Sequence, residues 1–465
     1  MTGLAPLAMG IGMRRGASVF LSAWVLGGAD SAAQAREQAS NEVDPSAAET
    51  QPAAPASNDV QGTDEASVLA AELAAAPASD TDSAEGKIDF YGFADFSYTQ
   101  PISKAIVAVN SPFESFAIAH LNTYVGSELG EGWRWLAEVR FMYLPNGSVP
   151  GNQQLNPPPA TDTSVTDYSD FLRPVRWGGI SIERAWLERS FHPLFTVRLG
   201  QFLSPYGIWN VDHGSPVIIP VTRPYVVGEG LIPQHQTGIE IYGAWTDGGT
   251  QLGYHLTLSN GRGPIDTYQD LDHNKALGGR LFIRQDVGLG TLTLGTSAYR
   301  GDYTERHPQV GVDAQGYVIN QYPVDQQYRE FSWSADLKWE WLGFLLQGES
   351  VVDDISYSTG HRPIDPSAAL HPGPPGFSAD SRRYGYYALV AYRTPFWGIM
   401  PFVLAENYHV GSAALSEAAV RGGLNIHASP RVVLKAEYLH AWSHDVAVRL
   451  FRPLDLLVLQ AAWSF

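Results

Sequence analysis

In "WRWLAEVRFM" (133–142), Arg134, Glu138 and Arg140 share one parity and Trp135, Ala137, Val139 and Phe141 share the other. Residues two apart point to the same face of a β-strand, so this segment reads as a strand with one charged face and one apolar face. A row of fixed charges of that kind attracts, orients or neutralises ions. The same parity argument collects Arg198, Glu240, Arg280, Arg284, Asp336, Lys338, Arg421, Lys435 and Glu437. If the apolar faces meet lipid, these charges must turn the other way, because an Arg on the lipid face near the midplane costs about 2–4 kcal/mol.

Constellations that break or make covalent bonds are thin. There is no G-x-S-x-G, no H-E-x-x-H and no phosphate-binding loop. "DLDHN" (270–274) opens like a calcium loop but lacks its glycine and distal glutamate, so it reads as a solvated loop. His440 and His444 share a strand face without identifiable further ligands. The expectation is therefore a protein that is not an enzyme and carries no cofactor and no metal.

The elements that must position the charges follow from the period. From "KIDFYGFADFSYT" at Lys87 to the end, alternating segments of about ten residues recur, the length of a tilted membrane strand. Sixteen can be marked, starting near 87, 114, 133, 178, 195, 236, 251, 275, 291, 329, 343, 383, 399, 414, 431 and 453. Fourteen or eighteen remain alternatives. Every second connection is a tight turn: "GEG" (130–132), "HPL" (192–194), "DGGT" (247–250), "GLG" (288–290), "LG" (342–343), "PFWG" (395–398) and "SPR" (429–431). The others, such as 144–177, 204–235, 303–328 and 355–382, are mostly long and polar. Strict alternation puts all short turns at one end of an antiparallel barrel, which a soluble sandwich has no reason to do. Trp133, Trp135, Phe195, Trp245, Trp339, Trp341, Phe344, Trp397, Trp463 and Phe465 cluster beside those turns, as an aromatic girdle at a membrane interface would. The fold class expected is an all-β transmembrane antiparallel barrel of about sixteen strands with long extracellular loops.

The region before the barrel has a different composition. Arg14 and Arg15 precede the short apolar run "GASVFLSAWVLGG", and Ala33 and Ala35 have signal-peptidase spacing, so residues 1–35 read as a signal peptide, with Met9 or Met13 as alternative starts. Residues 36–86 are rich in Ala, Pro and Ser and carry eleven acidic residues against one basic, Arg36, which predicts a disordered acidic periplasmic linker. Residues 87–465 form the barrel. The chain has no cysteine, which suits an exported protein without disulfides as well as a cytosolic one. A formal net charge of −18 makes nucleic acid an improbable partner, since phosphate recognition needs a basic surface.

The segment after the fifth strand, "SPYGIWNVDHGSPVIIPVTRPYVVGEGLIPQHQ", is long, Pro-rich and unusually apolar. Val217, Ile218, Ile219, Val226 and Val227 would be poorly placed in water, so this loop three is expected inside the barrel, narrowing the pore, with Asp212, Arg223 and Glu229 at the constriction. Capping the barrel or touching a neighbouring subunit are its alternatives. The inward charges themselves have two readings: rings that set ion preference, or pairs between neighbouring strands that stiffen the wall.

"VRLGQFLSPYGIWN" (197–210) with the Pro-rich loop and "PQHQTGIEIYG" (233–243), and "VRGGLNIHASPRVVLKAEYLHAW" (420–442), resemble the corresponding regions of the phosphate-selective porin O/P family. That resemblance implies a sixteen-stranded, usually trimeric channel with loop three folded into the pore. The final "PLDLLVLQAAWSF", an apolar alternation ending in Phe465, is similar to the signal by which outer-membrane barrels are recognised for insertion. Phosphate selectivity is not implied: the chain has only five Lys, and residues 87–465 hold 27 Lys plus Arg against 36 Asp plus Glu. The expectation is a passive channel in the outer membrane of a Gram-negative bacterium, in contact with its lipid, passing small hydrophilic solutes or ions, anions among them, as a homotrimer. An outer-membrane barrel enzyme, or a non-conducting barrel for adhesion or assembly, is the alternative.

Overall fold

A computed structural model describes residues 86–102, 114–118, 120–142, 179–211, 214–228, 230–262, 270–306, 309–321, 323–362, 380–410, 415–443 and 453–465. The expected signal peptide and acidic linker lie outside the described residues. Nineteen strands and one short helix occur among the described residues. They are β1 (Ile88–Pro101), β2 (Ser115–Ala117), β3 (Leu121–Gly130), β4 (Trp133–Met142), β5 (Gly179–His192), β6 (Phe195–Leu203), β7 (His235–Asp247), β8 (Thr250–Ser259), β9 (Ala276–Val287) and β10 (Gly290–Arg306). The remainder are β11 (Gln309–Val312), β12 (Val318–Gln321), β13 (Val324–Trp341), β14 (Phe344–Tyr357), β15 (Ser381–Tyr392), β16 (Ile399–Val410), β17 (Leu415–Ser429), β18 (Val432–Ser443) and β19 (Leu454–Ser464), with helix α1 at Tyr225–Gly228.

Three of these strands modify the simple count. β2 and β3 both pair with β1, at Ser97↔Ala117 and Ala94↔Leu121, and so form one interrupted span. β11 and β12 make a separate hairpin on the long connection between β10 and β13, which themselves pair along their lengths. Sixteen spans remain, each antiparallel to the next. β1 and β19 close the ring, from Phe93↔Ser464 to Pro101↔Leu456. Closure is what hydrocarbon demands, because an open edge would leave a row of unpaired N–H and C=O groups.

Parity sorts the side chains as the alternation requires. Ile88, Phe90, Ile182, Leu256, Leu281, Leu294, Phe331, Val390, Val403, Leu434 and Leu459 are exposed on the outside. At the short-turn end the outer surface carries exposed Phe195, Trp245, Trp339, Trp341, Phe344, Trp397 and Phe465, with Trp133, Trp135 and Trp463 partly buried. An apolar outer band rimmed by aromatic residues is the surface of an outer-membrane barrel. No helix among the described residues is long and apolar enough to cross a membrane.

The short turns hold the register. At Leu342 and Gly343 both residues have positive φ, 47° and 83°, the conformation whose twist suits a two-residue hairpin. Glu131 and Gly132 repeat this between β3 and β4, at 50° and 78°.

Candidate functional site

Loop three, the connection from β6 to β7, enters the barrel. Tyr206, Trp209, Ile219, Val226, Val227 and Leu231 are buried there. Trp209, Ile219, Val226, Val227 and Leu231 pack on inward residues of β14 to β16, including Leu345, Val351, Leu389, Phe402 and Leu404. Val221 and Tyr225 pack on Leu439, Leu456 and Val458 of β18 and β19. Fully burying one such aliphatic side chain contributes about 1.5–3 kcal/mol, so the loop has a core of its own.

Polar contacts then tie the loop backbone to the wall. Lys435 Nζ donates to the carbonyls of Ser215 (2.6 Å) and Ile218. Glu437 accepts from Val221 N (2.6 Å) and from the Thr222 hydroxyl. Arg421 donates to the carbonyls of Thr222 (2.5 Å) and Arg223 (3.0 Å) and pairs with Glu406, which accepts Tyr225 N at 2.6 Å. Asn425 reaches Ile219 O at 2.9 Å, Glu349 accepts Trp209 N at 2.7 Å, Ser332 donates to Leu231 O at 3.1 Å, and Asp95 accepts the Ser215 hydroxyl. On the other flank Arg280 donates to Gly207 O and to Asp336 (2.6 Å), while the Tyr206 hydroxyl meets Thr257 at 2.7 Å. Gly278 leaves the space for Tyr206: a Cβ there would stand 1.8 Å from its hydroxyl oxygen.

The loop therefore leans on the wall from β8 round through β18 to β1. Across from it, β3 to β7 carry a chain of charges and rings. Arg184 Nε donates to Glu138 at 2.5 Å, and Asn122 Nδ2 donates to the same carboxylate at 2.6 Å. Arg134 and Arg198 (Nε, 2.8 Å) both donate to Glu188, which also accepts the Tyr242 hydroxyl at 2.5 Å. Arg198 Nη1 continues to Glu240 at 2.6 Å, and Glu240 meets His255 Nδ1 at 2.8 Å. Arg198 lies over Trp186 and Tyr242, 4.6 and 5.0 Å from their ring centroids, and Arg134 lies 5.5 Å from Trp186.

Accessibility along this arc is one-sided. The side chains of Arg134, Arg184 and Arg198 are 43%, 17% and 18% exposed, whereas those of Glu188, Glu138 and Glu240 are 2%, 0% and 1%. The carboxylates are all buried and Arg184 and Arg198 are mostly so, which leaves Arg134 as the accessible charge of the three arginines. Asp89 and Glu128 stand apart from these pairs at the turn end of β1 and β3.

The expected inward residues divide accordingly. Arg134, Glu138, Arg140, Arg198 and Glu240 belong to the free arc. Arg280, Asp336, Arg421, Lys435 and Glu437 serve loop three. Lys338 lies 3.5 Å from Glu340, and Arg284 has the inward parity of Arg280. Of the constriction set, Arg223 is on the inserted loop, where burial and then the like charge of Arg140 hold its guanidinium below its ordinary value. Asp212 and Glu229 lie outside the described residues, as does His444. His440 meets Asp455 at 2.7 Å. No group of three or more potential metal ligands occurs among the described residues, and the Asp270 loop is used internally, with Asp272 N on the Asp270 carboxylate at 3.1 Å.

Sequence parity missed Glu183, Arg184, Trp186 and Glu188, because the β4–β5 register shifts between Glu138 and Val139. This shift leaves both Glu183 and Glu188 buried, although their numbers differ in parity. Glu349 and Glu406 were within reach of the parity argument, since each shares the parity of the buried residues of its strand, β14 and β16.

No family model matches the chain. An uncharacterized protein of Aquifex aeolicus (strain VF5) is 40% identical over 68 residues, 14% of this chain and 15% of that protein, so the match spans about one seventh of the relative. The anion-selective porin from Comamonas acidovorans is 12% identical with a TM-score of 0.48, over 82% of this chain and 99% of that one. The outer-membrane channel DcaP of Acinetobacter baumannii is 12% identical with a TM-score of 0.45, over 83% and 99%. OmpT, an outer-membrane protein of Vibrio cholerae, is 8% identical with a TM-score of 0.47, over 83% and 99%. Nothing about solute or assembly follows from likeness of that degree.

Proposed function

We propose that this protein is a passive diffusion channel for small hydrophilic solutes and ions in the outer membrane of a Gram-negative bacterium, that it favours anions, and that it works as a homotrimer without enzymatic activity. The observation that carries the reading is the one-sided accessibility of the β3–β7 arc. Arg134 keeps an accessible side chain, while the carboxylates paired with Arg134, Arg184 and Arg198 are buried. In a low-dielectric wall such oriented pairs focus a positive potential on the passage, even though the whole chain is acidic. Loop three, held against the other arc, supports a passage narrowed to the space between it and β3–β7. The trimer rests on the sequence resemblance to the porin O/P family.

Single-channel recording of the purified, folded protein in planar bilayers tests the reading. Stepwise openings of uniform size are the expected result. A folded, heat-modifiable barrel that never conducts would remove the channel reading and return an adhesion or assembly barrel to consideration.

A further inference from the structure

Arg223 has a fixed backbone and a side chain that none of the described residues engages. Its carbonyl accepts Arg421 Nη2 at 3.0 Å, and the neighbouring Thr222 is held by Glu437 and by Arg421 Nη1. The guanidinium forms no hydrogen bond or ion pair to any of the described residues, yet it lies within electrostatic reach of Arg140, Glu183 and His120. Carried on the wall-bound loop, it therefore lies near β4 and β5. Arg140 of β4, whose charge acts on it, holds Glu183 only at 3.6 Å and has a buried Nε with no partner among the described residues. The nearby carboxylates are engaged elsewhere: Asp95 by His120 Nδ1 at 2.6 Å and the Ser215 hydroxyl, Glu183 by His235 Nε2 at 2.6 Å. Two guanidiniums brought together in a partly desolvated place repel each other unless an anion stands between them.

From these contacts the geometry points to a carboxylate-binding site between Arg223 of loop three and Arg140 of β4, on the path of permeating solutes. It rests on the channel reading above and deepens it. A guanidinium presents two parallel N–H donors that match a planar carboxylate. The charge balance selects a single negative charge. Among the described residues the two guanidiniums of Arg140 and Arg223 share this neighbourhood with two carboxylates, Asp95 and Glu183, so a second negative charge on the ligand is opposed. A monocarboxylate satisfies both conditions, and doubly charged phosphate violates the second.

The experiment uses the full-length protein in planar bilayers in KCl at about pH 8, where phosphate is mostly the dianion, with sodium benzoate or sodium phosphate titrated at constant ionic strength while chloride current is read. Benzoate is expected to reduce the current saturably, with half-effect at a concentration about ten-fold or more below that of phosphate. Arg223→Gln should raise that concentration about ten-fold, with Arg223→Lys intermediate because it keeps the charge and loses the fork. Arg382→Gln, at an exposed pair with Asp354, serves as the control and should change nothing. Open channels with no saturable benzoate effect, with phosphate acting at equal or lower concentration, or with R223Q indistinguishable from the parent, would overturn the site and leave the channel reading standing. Folded protein without openings would overturn both.

Discussion

At the scale of single residues, the wall charges do two kinds of work. Lys435, Glu437 and Arg421 are buried and spend their hydrogen bonds on the backbone of loop three. Removing one partner of such a buried charge network costs about 3–5 kcal/mol, more than the loop can lose without shifting. Lys435→Met should therefore loosen the loop, and single-channel records should show a larger, noisier conductance than the parent. Arg134 and Arg198 belong to the other kind. Arg134→Gln, which leaves Glu188 paired with Arg198, should lower the ratio of chloride to potassium permeability about two-fold, read from reversal potentials, while leaving barrel folding intact. Inward orientation was legible in the sequence for all of these, because period two and the cost of charge in lipid fix it. What each side chain holds was not. The partners of Lys435 are carbonyls of Ser215 and Ile218, more than two hundred residues away, and no local pattern encodes a backbone acceptor.

Strands and turns were the most legible elements. The starts read from alternation fall close to the observed ones throughout, and each short turn lies where Gly, Pro or Asn-like chemistry marked it. β13 is the largest departure: it begins at Val324 instead of near 329, and the polar connection before it carries the β11–β12 hairpin. The break between β2 and β3 also escaped notice, since 118–120 has no breaker residue. A clearer signal went unused. β15 and β16 carry apolar inward rows, Tyr387, Leu389 and Ala391 and Met400, Phe402 and Leu404, which a water-facing wall would not, and loop three is what covers them. Two tests belong at this scale. Gly278→Leu fills the space of Tyr206 and should push the loop inward or outward, changing conductance without unfolding the barrel. Gly343→Ala puts a side chain at φ 83°, with its Cβ 2.9 Å from Arg393 O, and should destabilise the hairpin by about 1–2 kcal/mol, seen as a lower heat-modifiability midpoint.

For the molecule as a whole, global and local charge disagree. The chain carries a formal −18, and a reading from net charge alone would predict a cation channel. The proposed anion preference rests on local burial instead, with Glu138, Glu188 and Glu240 buried and Arg134 accessible. The effect is electrostatic at short range and must weaken with salt, since the Debye length falls from about 10 Å at 0.1 M to about 3 Å at 1 M. The most direct measurement is the reversal potential of the purified protein in a planar bilayer under a ten-to-one KCl gradient, repeated at low and high mean salt. The account predicts the sign of an anion-permeable pore, a chloride preference on the order of five-fold at low salt, and a smaller one at high salt. A reversal potential of the cation-selective sign at low salt would contradict it.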